Sequence, residues 1–185
     1  MIEDTSRSVV FRIEPARPIH VDLAVAELLE TARRDRGRDI RICLHQSSAD
    51  PVQEMLIAHS RAVYHPPHRH PGRVERVRVI SGRGVAVGFD DRGRVTGTIS
   101  MSADSLRAIW FEPRSFHAII PLSDNFITHE IVDGPFIAGG STQCAPWAPT
   151  RDDSEGGIEF TRRLADSLGA WEFASSFNAV VGASE

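Results

Sequence analysis

The sequence predicts an all-β jelly-roll barrel with a short N-terminal helix and a C-terminal helical extension. Between about residues 39 and 132, apolar and polar residues alternate at every second position, as strands with one buried face require. Turns rich in glycine and aspartate interrupt these runs at the spacing of hairpins, which is typical of antiparallel sandwiches and barrels. Two histidines and a glutamate in one segment can meet a third histidine, much later in the chain, only if the sheet curls into a barrel.

A short helix is predicted over residues 22–36, ahead of the barrel. Apolar residues recur there at helical spacing, and Asp22 is placed to cap the first turn. The arginines of the last turns suit the negative end of the helix dipole. We assign residues 1–37 to an N-terminal extension.

The barrel is predicted over residues 38–149. Ile40 and Ile42 alternate with Arg41 and Cys43 in its first strand. Further short β-prone runs lie near residues 77–79, 85–89, 94–101, 107–111 and 117–132.

The last part, residues 150–185, is predicted to form a C-terminal extension that packs on the barrel or on a partner subunit. Its helical spacing is carried by Phe160, Leu164, Leu168 and Trp171. Glu159 and Arg163 are placed to form an i,i+4 ion pair. We expect Trp171, Phe173 and Phe177 to cover an edge of the jelly roll, in the same chain or across a dimer axis.

Composition bounds the function. The 185 residues suffice for one domain with a substantial core, and the net charge of -4, with arginines spread among acids, argues against a nucleic-acid partner. All 21 basic residues are arginine, which excludes a Schiff-base lysine and a phosphate-loop lysine. No apolar run is long enough to span a membrane or to form a signal peptide, so we expect a cytoplasmic protein. Cys43 and Cys144 fit reduced thiols better than a disulfide.

The motif His68-x-His70-x4-Glu75-x6-Gly82, followed later by His117, predicts a metal site. Imidazole nitrogens and a carboxylate are ligands of borderline and hard divalent metals. If Val77 and Val79 point inward, Glu75 points inward with them, and coordination to a cation would offset the cost of burying its charge. Gly82 is expected to serve the following turn.

The alternative is an exposed, proline-rich turn over residues 64–71 whose histidines are only hydrogen-bonded. A lone His-x-His deserves that interpretation. The glutamate, the glycine and the distant histidine together favour the metal site.

Two further side chains are candidates for catalysis. His129 alternates with Ile127 and Ile131 and is placed to face the cavity, and Tyr64 is placed to donate to a substrate or to cap the barrel mouth. Arg69 lies between two ligands on one strand and should point away from them. Cavity lining and an outer-face position stay open for His45, Gln53, His59, Arg73 and Glu130.

At these residues the chain resembles the cupin superfamily, whose first motif has the same spacing, and more specifically the WbuC family of cupin-fold metalloproteins. The wider resemblance covers about residues 38–149. It is carried by Arg41-Ile42-Cys43-Leu44-His45, Asp50-Pro51-Val52-Gln53, Tyr64-x3-His68-Arg69-His70-Pro71, Phe89-Asp90-Asp91-Arg92-Gly93-Arg94-Val95, His129-Glu130, Gly134-Pro135-Phe136 and Ala145-Pro146-Trp147-Ala148-Pro149.

The resemblance implies a double-stranded β-helix with a divalent metal on His68, His70, Glu75 and His117, encoded near genes for cell-surface polysaccharide or small-molecule biosynthesis. It departs at the second motif, where Pro-x-Gly is usual and Pro113 is followed by Arg114-Ser115.

Three functions stay open. The first is a metal-dependent enzyme that acts on a small polar metabolite, a sugar derivative or a hydroxy or keto acid, by Lewis-acid isomerase, epimerase or lyase chemistry. The second is an Fe(II)-dependent dioxygenase, and the third a non-catalytic binding module. The ligand types admit Fe, Mn, Ni, Co or Zn. We expect a homodimer, a small-molecule substrate, and no nucleic-acid or membrane partner.

Overall fold

The computed structural model describes residues 2–4, 8–12, 21–35, 37–104 and 108–170. The N-terminal part consists of β1 (Ile2–Asp4), β2 (Ser8–Arg12), α1 (Val21–Arg34) and β3 (Asp39–Cys43). Eight strands follow: β4 (Val52–Ala58), β5 (His68–Arg69), β6 (Glu75–Ser81), β7 (Arg83–Phe89), β8 (Val95–Ser102), β9 (Ala108–Phe111), β10 (Phe116–Pro121) and β11 (Ile127–Asp133). The described chain ends with β12 (Gln143–Cys144) and α2 (Ser154–Ser167).

The eight central strands form a jelly roll. One sheet contains the antiparallel order β4-β11-β6-β9 and the other contains β5-β10-β7-β8, so consecutive strands alternate between the sheets except for the hairpin of β7 and β8. The predicted cupin-type barrel is therefore the fold of the protein.

The N-terminal strands were not predicted. β2 pairs in parallel with β3, which in turn pairs with β4, so the first sheet grows to seven strands with β1 at its edge. Parallel neighbours need a crossover, and α1 lies between them in the chain. The helix begins at Val21, one residue before the predicted start.

Helix α1 packs on the outer face of this sheet. Leu28 is fully buried there against Ile40, Ile42 and Leu56. Both faces of the sheet are therefore covered around β3, β4 and β11, and apolar side chains on these strands lie outside the barrel as well as inside it. This double burial decides which polar residues reach the cavity.

Helix α2 lies against the other sheet. Asp153 caps it by accepting a hydrogen bond from the Gly156 amide, and Leu164 and Leu168 pack on the core of the five-stranded sheet. The predicted pair of Glu159 and Arg163 is confirmed at 2.7 Å. Trp171, Phe173 and Phe177 lie outside the described residues.

Gly157 allows α2 to approach the barrel closely. A Cβ atom at this position would stand 2.0 Å from Cδ1 of Tyr64, so only glycine fits beneath the ring. Gly82, with φ of 73°, forms the turn after β6 as predicted. Neither described helix has the length and apolarity that crossing a bilayer requires.

Candidate metal centre

Three elements bring the four predicted ligands together. β5 carries His68 and β10 carries His117, and the two strands pair so that these residues lie directly opposite each other. His70 follows β5, and Glu75 begins β6 in the facing sheet. One ligand atom from each of the four side chains lies within 4.8 Å of the others. The predicted convergence is confirmed.

Backbone carbonyls orient all three imidazoles. In each ring Nδ1 lies 2.9 Å from a carbonyl oxygen, which can only accept, so Nδ1 carries the hydrogen and Nε2 keeps its lone pair. The pairs are His68 with Pro66, His70 with Ser141, and His117 with Ser115. Such outer hydrogen bonds set the tautomer and raise the basicity of metal-binding histidines.

An aromatic side chain packs against the ring of His117. Phe111 stacks on His117, with ring centroids 4.1 Å apart and planes inclined by 17°.

The Arg114-Ser115 turn before His117 departs from the usual glycine-containing motif. It nevertheless closes with a hydrogen bond, since the Ser115 amide donates to the Glu112 carbonyl over 3.2 Å. Arg114 takes φ of 73°, the left-handed conformation that favours glycine.

The facing lone pairs at the centre have no hydrogen between them. Oε2 of Glu75 lies 2.9 Å from Nε2 of His117 and 3.2 Å from Nε2 of His70. Oε2 of Glu75 and Nε2 of His117 are fully buried and have no hydrogen-bond partner in the part of the chain that the structure describes. Leaving such atoms unsatisfied is costly, and a cation between them satisfies both. The four residues therefore fit a divalent metal.

The charges of Glu75 and His68 agree with this donor set. Burial by itself raises the pKa of Glu75, but its close contacts with His117 and His70 outweigh it and hold the pKa well below its usual range. Burial also lowers the pKa of His70, but its contact with Glu75 outweighs this and raises the pKa. Burial, reinforced by the neighbouring His117, lowers the pKa of His68 to about 4. At neutral pH the site thus offers a carboxylate and a neutral His68 imidazole, the protonation states that bind metals.

The centre lines a cavity of about 610 Å³. Strands β2, β3, β4 and β11 supply its remaining walls with polar and apolar side chains. Of the polar residues whose positions stayed open, His45, Gln53, His59, Arg73 and Glu130 line this cavity. Arg69 points away, as predicted: its Nε donates to Oε1 of Gln143 over 2.9 Å and its guanidinium lies over the Phe116 ring. Cys43 and Cys144 form no disulfide, as expected.

His129 does not reach the cavity. Its Nε2 lies 2.7 Å from Oε1 of Glu54 on the opposite face of the sheet. The reason is α1, which covers that face: Ile127, on the same side of β11 as His129, packs into the cluster that contains Leu28. The apolar face of β11 is thus the outer one, so the prediction for His129 is wrong and Glu130 faces the cavity instead.

Tyr64 does not reach the cavity either. It is 2% exposed, its hydroxyl donates to the Pro149 carbonyl over 3.0 Å, and its ring packs beneath Gly157 and Phe160 of α2. Burial raises its pKa to about 12. Tyr64 therefore fastens the C-terminal helix to the barrel instead of serving as a base.

The sequence analysis missed a second cluster of titratable side chains, Asp39, His59 and His65. Nε2 of His65 donates to Oδ2 of Asp39 over 2.6 Å, and Oδ1 of Asp39 accepts from the Ser60 amide over 2.8 Å. His59 and His65 line the same cavity as the metal centre. One signal was present: Asp39 shares a strand face with Arg41 and Cys43, which also face the cavity side of β3.

Residues 22–101 match the family described as a domain of unknown function, DUF6016. No curated protein matches the chain. The WbuC resemblance stays a prediction.

Among solved structures, the chain is similar to the capsular polysaccharide assembling protein CapF from Staphylococcus aureus, with 21% identity over 60% of this chain and 30% of that chain and a TM-score of 0.46. It is also similar to oxalate decarboxylase from Bacillus subtilis, studied for its Mn(II) centres, with 17% identity over 51% of this chain and 24% of that chain and a TM-score of 0.42. The chain thus spans less than a third of the length of either protein.

Proposed function

We propose that this chain is a divalent-metal-dependent enzyme that acts on a small polar metabolite by Lewis-acid isomerase, epimerase or lyase chemistry. The observation that carries the proposal is the orphaned pair at the centre, Oε2 of Glu75 and Nε2 of His117, buried among imidazoles whose other nitrogens are tied to carbonyls. A structural histidine cluster would pair these atoms with hydrogen-bond donors.

The ligand number supports catalysis over a purely structural metal. Three imidazoles and one carboxylate leave open positions on a six-coordinate ion, and a cavity of about 610 Å³ adjoins them. When bound, the metal polarises a carbonyl or hydroxyl group of the substrate and lowers the pKa of the adjacent proton.

Such chemistry needs a separate proton acceptor, and His65 has the required surroundings. Burial raises the pKa of Asp39, but the charge and hydrogen bond of His65 outweigh it and lower the pKa to about 2, so Asp39 is a carboxylate that can only accept. Nε2 of His65 is therefore its donor, and in the neutral imidazole Nδ1 has the lone pair that accepts a proton. His65 lines the cavity with 27% of its side chain exposed. We assign it the role of base that the sequence suggested for His129 and Tyr64.

The resemblance to the WbuC family supports a sugar derivative or a hydroxy or keto acid as substrate. It also supports a homodimer with a biosynthetic role. These parts of the proposal depend on the motifs of residues 38–149.

Elemental analysis of protein purified without added metal or affinity tag tests the metal. We expect about one divalent ion per chain, lost on chelation and restored by metal. The chemistry is then tested with a panel of sugar derivatives and hydroxy or keto acids. NMR follows the exchange of their hydrogens for deuterium from the solvent. A metal-free protein that binds none of the five candidate ions would overturn the proposal, and oxygen uptake with Fe(II) would replace it by a dioxygenase.

A further inference from the structure

Arg41 lines the cavity with a partly buried side chain. It lies on β3 between Ile40 and Ile42, whose side chains pack against α1, so Arg41 points to the opposite side and lines the cavity. Its Nε is fully buried and has no hydrogen-bond partner among the described residues. A buried donor on a permanent charge is costly unless an anion accepts from it.

The cavity as a whole has more cationic than anionic side chains. Four guanidinium groups line it against two carboxylates, and one of those carboxylates is Glu75 at the metal centre. The arginines are Arg12, Arg41, Arg73 and Arg151. Arg73 donates from Nε to the Asp133 carbonyl, which is a neutral acceptor. The divalent ion adds further positive charge, so the cavity favours an anion.

Arg12 and Arg41 are neighbours on one wall. β2 and β3 are parallel, with Val10 opposite Arg41 and Arg12 opposite Cys43, so the two arginines are diagonal to each other on the same face of the sheet. Strand spacing and rise put their Cα atoms about 8 Å apart, within reach of one shared anion. Nη1 of Arg12 also lies 3.5 Å from Nε2 of His45, which lines the same wall.

We propose that Arg41, with Arg12, binds the carboxylate or phosphate group of the substrate while another polar group of that molecule meets the metal. The planar guanidinium fork matches both anions. The substrate class is thereby narrowed to acidic small metabolites, such as a sugar acid or a sugar phosphate. This inference rests on the proposed function for its link to the metal, but the anion site itself is testable without it.

Titration calorimetry with inorganic phosphate and with acetate as probes tests the site in the full chain. We expect phosphate or acetate to bind the wild type saturably and at least about tenfold more weakly to Arg41→Gln. Arg41→Lys should fall between the two, because it keeps the charge but loses the fork. Arg76→Gln is the matched control, since Arg76 is an exposed strand arginine that does not line the cavity.

Metal content and melting temperature of each variant are measured in parallel. Unchanged metal in Arg41→Gln, with weakened anion binding, supports the inference. If Arg41→Gln does not fold, Arg12→Gln takes its place with the same expected loss. Absence of saturable binding of both anions to the wild type, or equal binding by wild type and folded Arg41→Gln, would overturn it. A metal-free wild type with Arg41-dependent anion binding would remove the proposed function and leave the anion site standing.

Discussion

Two clusters, each of histidines with one carboxylate, lie at one cavity, yet different ring nitrogens of their imidazoles donate the hydrogen bonds. In the first cluster (His68, His70, Glu75 and His117) the imidazoles donate from Nδ1 to backbone carbonyls, and their Nε2 atoms converge with a carboxylate oxygen. In the second cluster (Asp39, His59 and His65) the imidazoles donate from Nε2 to side chains.

The Nε2 atoms and the carboxylate oxygens of the second cluster have hydrogen-bond partners. His59 donates to Oγ1 of Thr128 over 2.7 Å, and the Thr128 hydroxyl donates onward to Glu130 over 3.0 Å. Asp39 accepts from His65 and from the Ser60 amide. A metal would have to displace these hydrogens, whereas in the first cluster it would fill a place that no hydrogen occupies. The residue types alone therefore do not define a metal site. In the first cluster each Nδ1 is bound to a backbone carbonyl, and this leaves each Nε2 directed at the place of the metal.

The largest difference between the clusters is expected when one histidine of each is replaced by alanine. His117→Ala should lose the metal, with affinity falling by about 100-fold or more, since even outer-shell changes cost up to that much. His65→Ala should retain about one metal per chain, because His65 is already paired with Asp39. Elemental analysis after equilibrium dialysis measures both. Equal metal loss from the two variants would remove the distinction between the clusters.

Breaking the second cluster should affect stability instead. Asp39→Ala leaves His65 and the Ser60 amide without their acceptor at a side chain that is 2% exposed, so we expect about 3 kcal/mol less stability to unfolding. Urea denaturation of the metal-free proteins measures it. Asp91→Ala is the control, since Asp91 is an exposed acid whose pair with Arg69 lies at the surface and should cost under about 1 kcal/mol. A smaller loss for Asp39→Ala than for the control would contradict this network.

The pH dependence of the unfolding free energy should report the same interaction of Asp39 with His65. The pKa of Asp39 is lowered in the folded state from 3.8 to about 2, so its contribution is fully present above pH 3.8 and is lost as the pH falls toward 2. The contribution is about 2 kcal/mol. The difference in unfolding free energy between metal-free wild type and Asp39→Asn, measured by urea denaturation from pH 5 to about pH 2, should shrink across that window. A difference that stays constant would show that Asp39 is not ionised in the folded protein.

The smallest effect is expected in the turn that orients His117. Arg114→Gly should stabilise the protein by about 0.5 to 1 kcal/mol, because glycine adopts the positive φ of 73° without strain. Metal content should not change, since the Ser115 carbonyl still accepts from His117. Thermal melting measures the gain. Glu112→Gly, at a position outside the left-handed region, should instead destabilise, and a matching gain there would refute the strain argument.

The metal ligands were predictable because their signal is local. His68, His70 and Glu75 lie within one short segment, and strand periodicity sets which side chains share a face. His117 needed only the assumption that the sheet curls, which the pairing of β5 with β10 confirms. β1 and β2 were missed, because short strands with few residues carry little periodic signal and β2 pairs with a strand beyond a helix.

His129 and Arg41 show that the sequence alone does not predict which face of a strand is the interior. His129 shares a strand face with Ile127, whereas Arg41 points away from Ile40 and Ile42. In both strands these isoleucines belong to the core cluster that contains Leu28 of α1. The apolar face is thus the outer one, so His129 lies outside and Arg41 inside. Without the position of α1, the alternation predicts two faces but not which of them is the interior.

The sequence by itself determined the donor types of the metal centre, the jelly-roll class and the grouping of side chains by face, because backbone geometry makes neighbouring strand residues point in opposite directions. Only the tertiary structure decided which face became the cavity, which ring nitrogens carry hydrogens, and that Asp39 meets His65. Those outcomes depend on helix packing and on carbonyls such as Ser141, which come from distant segments and leave no periodic trace in the chain.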